Sequence, residues 1–294
     1  MKEKLLFIGP GRAGLALGSA LWEAGVVGDL VYCGRRPDPP LHPLFIDGIA
    51  RYRFGLEPPG IETTAVILSV PDDVLTEMAH ALAGHGVAPP GCAALHLSGA
   101  LSSDVLAPLH SRGYGVGSLH LLQSFADPVA GARRIPGSFA AISGEPTAVN
   151  TARRLVHSLG CRTLSVPVTK RPLYHAAAVS ASNHVAALLA LAGRLLVHAG
   201  VREEDALAAL LPLVRGTLDN IEQLGLGPSL TGPLVRGDVE TVRLHIRSLE
   251  PREREVYRCL ASELLQLGSA FGLDAEVEEE MRGLLQAVEA KGEG

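Results

Sequence analysis

The chain is poor in aromatic residues, which make up 4% of its 294 positions and include a single Trp. No RNA-type aromatic motif stands among them. It also lacks basic excess, since 26 Lys and Arg against 31 Asp and Glu leave a formal net charge of −5. Nucleic acid is thereby excluded as the main partner, because a phosphate backbone calls for a basic surface. Cysteine is scarce, and Cys33, Cys92, Cys161 and Cys259 form no C-x-x-C pair. Neither a metal site nor a disulfide framework is expected, only reduced structural thiols. The most apolar stretch, 176–196, is interrupted by Asn183, His184 and Arg194. It falls short of a membrane span and is expected to be a buried helix, so no membrane partner is expected. Lys2, Glu3 and Lys4 lead straight into a strand, leaving no room for a signal peptide, and a cytoplasmic protein is expected. What remains, 47% hydrophobic, reads as a soluble globular chain long enough for two ordinary domains.

The strongest positive signal opens the chain. Residues 4–8 form an apolar strand that runs into Gly9-Pro10-Gly11-Arg12-Ala13-Gly14, and a helical pattern follows over 12–25. In a G-x-G-x-x-G loop the first glycine makes the tight turn, the second admits a pyrophosphate close to the backbone, and the third lets the helix pack on the strand. The free N–H groups at the helix start would then hold the phosphates. The next strand, 29–33, ends in Gly34-Arg35-Arg36, where an NAD site would place an acid. Two guanidinium forks suit a 2′-phosphate, which favours NADP over NAD. The competing reading makes Arg35 and Arg36 solvated charges ahead of the Pro-rich turn 37–43.

Strand candidates recur at 64–70, 92–97, 115–120, 138–143 and 161–166, with helical patterns at 72–84, 103–111 and 146–159. This alternation predicts an α/β Rossmann domain over 1–166, a doubly wound and mostly parallel sheet with ligands at the carboxyl ends of its strands. Beyond it the pattern is all helical, over 172–199, 202–224, 238–249, 252–272 and 274–291, giving an all-α domain over 167–294. Pro212 predicts a kink or break in the second of these helices. Glu278, Glu279 and Glu280 read as a solvated helix face.

Four segments gather polar residues. His96-Leu97-Ser98-Gly99 and Ser118-Leu119-His120-Leu121-Leu122-Gln123-Ser124 follow neighbouring strands and face the expected ligand crevice. Each histidine competes with a structural reading. In 170–184, His175, Val179 and Asn183 are spaced to share a helix face, near Ser182. That stripe serves either a tight helix contact, with Asn183 hydrogen-bonded inside it, or a cleft where Asn183 with Lys170 or His175 polarises a carbonyl. In 230–238, Asp238 is placed to cap the following helix, while Thr231 and Arg236 are candidates for holding an anionic substrate.

Together these segments resemble the 6-phosphogluconate dehydrogenase-like superfamily, which includes 3-hydroxyacid dehydrogenases, ketopantoate reductase, pyrroline-5-carboxylate reductase and prephenate dehydrogenase. Within it the chain is most similar to a Rossmann-like family whose C-terminal helical domain has no known function and which is associated with NADP oxidoreduction of the deazaflavin-dependent type. The resemblance is carried by 173–178 with 182–184, by 118–120 with 123–126, and by 230–233 with 236–238. It implies a dinucleotide-dependent reductase or dehydrogenase with a substrate between its domains, and a homodimer built through the helical halves. His120 matches only the histidine of the prephenate dehydrogenase His-Pro-Met element. Lys170 and Asn183 are thirteen apart, wider than the lysine–asparagine spacing of the hydroxyacid enzymes.

The expected reaction is hydride transfer between NADP(H) and a small carboxylated carbonyl or hydroxy compound. Cofactor residues are expected at Gly9, Pro10, Gly11, Arg12, Ala13, Gly14, Arg35, Arg36, Ser69, Val70, Pro71 and Ser98, with His120, Lys170, His175 and Asn183 as candidates for orientation and proton transfer. The rival readings are a non-catalytic NADP(H) sensor or scaffold and a deazaflavin-dependent NADP reductase.

Overall fold

The computed structural model describes residues 2–269 and 273–286. The chain divides into two compact units, one ending at Asn183 and the other beginning at His184.

The first unit runs β1 (Glu3–Ile8), α1 (Arg12–Glu23), β2 (Val27–Gly34), α2 (Pro43–Ile46), β3 (Arg51–Phe54), β4 (Ala65–Leu68), α3 (Leu75–Ala83), β5 (Ala93–His96) and α4 (Ala107–His110). It continues with β6 (Gly115–Leu121), α5 (Pro128–Arg134), β7 (Phe139–Gly144), α6 (Pro146–Ser158), β8 (Arg162–Leu164) and α7 (Arg171–Ser180). Short 3₁₀ turns precede α3, α4 and α7. Its sheet of eight strands has the order β3-β2-β1-β4-β5-β6-β7-β8, parallel except where β6 meets β7. This is the doubly wound, mostly parallel architecture expected of the alternating pattern, and the order reverses between β1 and β4, where such sheets place their ligands.

The central strands are apolar on both faces because both are covered. Leu5 and Phe7 of β1, with Ala65 and Ile67 of β4, enter one core, while Leu6, Ile8, Val66 and Leu68 enter the other. This is the two-residue period of a pleated strand. The few aromatics are spent in one place. Phe7 stacks on Tyr32 at 4.7 Å, Tyr32 meets Phe45 edge-on, and Phe45 meets Tyr52 in the same way. That ladder fixes α2 and the edge strand β3 against the sheet.

The second unit contains α8 (Asn183–His198, whose first residue closes the first unit), α9 (Glu203–Leu224), α10 (Val239–Ser248), α11 (Pro251–Ser269) and α12 (Ala275–Gln286). No strand occurs in it among the described residues. Its core joins Leu234, Val242, Ile246, Ala261, Leu265, Met281 and Leu285, so α10, α11 and α12 hold it together. As expected, Asp238 caps α10, its Oδ1 accepting from the Thr241 amide at 3.1 Å. Residues 287–291 of the last expected helix lie outside the described residues.

Three expectations are corrected. The helix read over 172–199 is interrupted at 181–182, so His175 and Asn183 do not share a continuous helical stripe. The Ser182 hydroxyl donates back to the Ala178 carbonyl at 2.7 Å, competing with the helix ladder where the chain turns. The helix expected to be buried is not, since no residue of α8 is buried. Residues 168–198 include an 18-residue window of mean hydropathy 1.4, long and apolar enough to cross a membrane by length and composition. Finally, of the kink or break expected at Pro212, the break does not occur, since α9 remains helical through it.

Candidate functional site

Each glycine of the loop lies against the segment after β4. Gly9 sits at φ +93° in the left-handed region, and a Cβ there would lie 2.8 Å from Val70 Cγ1. A Cβ on Gly11 would stand 3.0 Å from the Ser69 carbonyl oxygen, and one on Gly14 would stand 2.7 Å from Ser69 Cβ. The first turn of α1 thus lies directly on the segment after β4. The Ser69 hydroxyl locks the contact by donating to the Gly9 carbonyl at 2.5 Å. Gly11 gives α1 no side-chain cap, and no acid lies in the first turn. The positive end of this helix is therefore open to an anion. Pro10 and Ala13 flank the loop half-buried, and the exposed Arg12 donates to the Ala126 carbonyl at 3.3 Å.

At the end of β2, Arg35 and Arg36 are exposed, and among the described residues neither side chain has a carboxylate partner. The Tyr52 hydroxyl donates to the Arg36 carbonyl at 2.6 Å and fixes this corner. Tyr52 fits there because residue 34 is glycine, since a Cβ would overlap its ring. Val70 and Pro71 continue from Ser69 beside the loop, leading to Asp72.

His96, at the end of β5, is a structural residue. It is fully buried, its Nδ1 accepts from the Ser98 amide at 3.2 Å, and its Nε2 lies 3.1 Å from the Ser102 carbonyl. An acceptor at Nδ1 and a carbonyl at Nε2 require the neutral Nε2–H tautomer. Burial, reinforced by the Arg171 charge, pushes its pKa down to about 4 against the opposing pull of Ser102 and Asp72. Ser98 is a second correction. Its hydroxyl donates to Asp72 at 2.7 Å and accepts from the Ala100 and Leu101 amides, so the side chain has no proton left for a dinucleotide.

Because the unfolded state binds a proton on His96 from about pH 6.5 downward and the folded state only near pH 4, stability is fully present above 6.5 and lost as pH falls. The loss assigned to His96 between about pH 7 and pH 4.5 is about 2 kcal/mol. Urea unfolding of wild type and His96→Gln at both pH values measures it. Equal pH sensitivity of the two proteins would contradict this assignment.

His120, next to last in β6, is where the sheet meets α7. Its Nδ1 lies 2.8 Å from the Tyr174 hydroxyl, and its ring stands 6.0 Å from that of His175. Burial and the neighbouring His175 and Arg171 push His120 down to about 4, with Asp72 opposing and His96 adding slightly, so it is neutral at physiological pH. His175 Nδ1 is buried without a hydrogen-bond partner. A Cβ on Gly99 would lie 2.8 Å from His120 Nε2 and 2.7 Å from His175 Nδ1. Only a glycine lets those nitrogens approach the backbone there. His120 also lines a cleft of about 80 Å³ with Ala13 of the glycine loop, Leu97, Leu121, Gln123 and Phe125.

Sequence reasoning did not single out Arg171 or Tyr174. Arg171 is 1% exposed. Nη1 donates to the Ser98 and Leu101 carbonyls, and Nη2 to the hydroxyls of Ser118 and Ser143. The antiparallel pairing of β6 with β7 sets those two serines opposite each other. No carboxylate pairs with Arg171 among the described residues, and its Nε is buried without a partner. A buried charge is retained only when its hydrogen bonds offset desolvation, so these bonds hold α7 to the strand ends.

Two candidates stay outside this cluster. Lys170 is exposed at the start of α7 and takes part in none of these hydrogen bonds. Asn183 is exposed at the start of α8, where its Oδ1 accepts from the Ser182 hydroxyl at 3.0 Å. Thr231 and Arg236 are likewise exposed, in the second unit. No group of three or more acidic, Cys or His residues suited to a metal occurs among the described residues.

Comparison with known proteins bears on the whole chain. Residues 138–264 match the family "Domain of unknown function (DUF2520)", and residues 53–120 match a Rossmann-like domain. No curated protein matches. The protein TM1727 of Thermotoga maritima is similar over 91% of this chain and 99% of its own, at TM-score 0.69 and 23% identity. BF3122 of Bacteroides fragilis, a proposed NADP oxidoreductase, is similar over 89% of this chain and 97% of its own, at TM-score 0.69 and 20% identity. Pyrroline carboxylate reductase of Plasmodium falciparum, solved with NADP bound, is similar over 96% and 98%, at TM-score 0.58 and 13% identity. At these identities the likeness is one of fold. This chain is thus similar, in order, to a Rossmann-like domain and to the DUF2520 domain, and shares its fold with these solved structures.

Proposed function

We propose that this protein is an NADP(H)-dependent oxidoreductase acting on a small, carboxylated carbonyl or hydroxy compound. The observation that carries the reading is the cleft in which Ala13 of an uncapped glycine loop and the neutral His120 face the same space. Gly9, Gly11 and Gly14 hold the loop against Ser69 and Val70, where a side chain would displace it, and the uncapped N-terminus of α1 suits a pyrophosphate. Arg35 and Arg36 suit the 2′-phosphate, and Ser69, Val70 and Pro71 border the nicotinamide side. Bound NADPH supplies a hydride, while the chain's own residues orient the acceptor and handle the proton. In this reading His120 does so, with His175 beside it. The fold neighbours named for NADP chemistry support the same reading.

The test is NADPH consumption against a panel of 2-keto acids and cyclic imino acids, each paired with its analogue lacking the carboxylate. Turnover that favours the carboxylated members supports the reading, and no turnover with any member counts against it. The double variant Arg35→Ala/Arg36→Ala is expected to weaken NADPH about 30-fold or more while leaving NADH within about threefold, since each charge-assisted pair contributes about 1.5–3 kcal/mol. Equal losses for both cofactors would contradict the 2′-phosphate assignment.

The same reading includes a cytoplasmic homodimer formed through the helical unit. The uncovered, apolar α8 supports a second copy as the partner. Sedimentation equilibrium is expected to give twice the chain mass of 30.8 kDa. A monomer, or partition into lipid vesicles, would overturn the dimer.

A further inference from the structure

Arg171, Tyr174 and His175 occupy positions i, i+3 and i+4 of α7 and so project from one face of that helix. Each meets the end of the sheet differently. Arg171 is buried with hydroxyl and carbonyl partners but no carboxylate, Tyr174 is hydrogen-bonded to His120 Nδ1, and His175 carries an unpartnered buried Nδ1 beside Gly99.

Resting on the oxidoreductase reading above, we infer that Tyr174 and His120 form a proton relay whose outer end is His120 Nε2–H, on a ring that lines the cleft, and that Arg171 is the fixed positive charge behind it. His120 is the catalytic residue in this arrangement, and Tyr174 and Arg171 are positioning residues acting through it.

Two tautomers are compatible with the 2.8 Å contact. Either the Tyr174 hydroxyl donates to Nδ1 and the ring carries its proton on Nε2, or Nδ1–H donates to the phenol oxygen and leaves Nε2 bare. Burial raises the Tyr174 pKa with the Arg171 charge opposing, so the phenol keeps its proton and has it to donate across this contact. The relay uses the first tautomer. The groups facing His120 are Arg171, Tyr174 and His175 from α7, His96 from β5 and Asp72 from the turn after β4. Asp72 is the single anion among them, so imidazolium is disfavoured and the ring serves as a neutral donor, not as a stored proton.

The proton accounting is closed. Hydride addition to a carbonyl carbon breaks its π bond and leaves the electron pair on oxygen. Nε2–H gives its proton to that oxygen while Nδ1 takes the proton of the Tyr174 hydroxyl, so the imidazole ends neutral with its proton on Nδ1. The charge left behind is a Tyr174 phenolate beside the Arg171 guanidinium. A water proton restores the phenol when the product leaves. An imine acceptor follows the same accounting at nitrogen.

The test uses the full chain carrying ¹⁵N-labelled histidine, with the His120 resonances identified by their loss in His120→Gln. At neutral pH the wild type is expected to show His120 as the neutral Nε2–H tautomer, and Tyr174→Phe to populate both tautomers. An Nδ1–H tautomer or an imidazolium in the wild type, or an unchanged tautomer in Tyr174→Phe, would overturn the relay. Titration of both proteins with NADPH separates this from the reading it rests on. Binding is expected to agree within about threefold, and absence of binding in both would sink the oxidoreductase reading whatever the tautomer. With an acceptor that the wild type reduces, Tyr174→Phe is expected to lower kcat about 100-fold at unchanged KM. Unchanged kcat would overturn the transfer step.

Discussion

Gly14→Val is expected to weaken NADPH binding at least about 100-fold, equivalent to about 2.7 kcal/mol, while leaving the sheet folded. The reason is local. A Cβ at position 14 stands 2.7 Å from Ser69 Cβ and 3.3 Å from the Gly9 carbonyl oxygen. Neither is the far end of a flexible side chain, so the start of α1 must lift away from the segment after β4. That movement separates the uncapped N–H groups from the loop that precedes them, and a phosphate is held by both. Gly25→Ala is the control for glycine loss in general. Its added Cβ meets nothing within 4 Å, but its φ of +70° makes the change cost stability without touching the loop. Fluorescence titration with NADPH, alongside thermal unfolding of each variant, checks the prediction. If Gly14→Val binds NADPH like the wild type, the loop is a structural turn only.

His120→Gln is expected to lower kcat by about 10² to 10⁴ on any carbonyl or imine acceptor that the wild type reduces, with NADPH affinity within about threefold. Glutamine keeps a polar side chain in the half-buried position and removes the imidazole that links Tyr174 to the cleft. A matching His96→Gln variant separates chemistry from structure, because His96 is closed on Ser98 and Ser102 and does not line the cleft. That variant is expected to lose stability and keep kcat within about tenfold. Steady-state kinetics of the two variants decides, and equal losses of kcat would remove the distinction drawn between these histidines.

The sequence carried the frame of the first unit well because the signals there are local. Continuous apolar runs mark strands covered on both faces, and the glycine spacing marks the turn after β1. What it carried poorly was short or set by distant partners. β3, Arg51–Phe54, has two arginines and no buried residue, so no buried-strand pattern reveals it, and α2 and α5 span four and seven residues. The break before α8 hides in an Ala-Ser-Asn run whose residues are all compatible with a helix. Arg171, between Lys170 and Pro172, reads as surface, and its burial depends on Ser98, Leu101, Ser118 and Ser143, all at least 28 positions away. Lys170 and Asn183 lie outside the His120–Tyr174 cluster, which helix spacing alone does not reveal because it does not show where α7 ends. His120 and His175 were legible as types in suggestive places. Their approach over Gly99 needed the fold.

The most direct test of the whole account is titration of the purified protein with NADPH and, separately, NADH. Saturable NADPH binding, at least about tenfold tighter than NADH, is the result expected from an open α1 terminus backed by Arg35 and Arg36. Failure to bind either dinucleotide would contradict the account at its root.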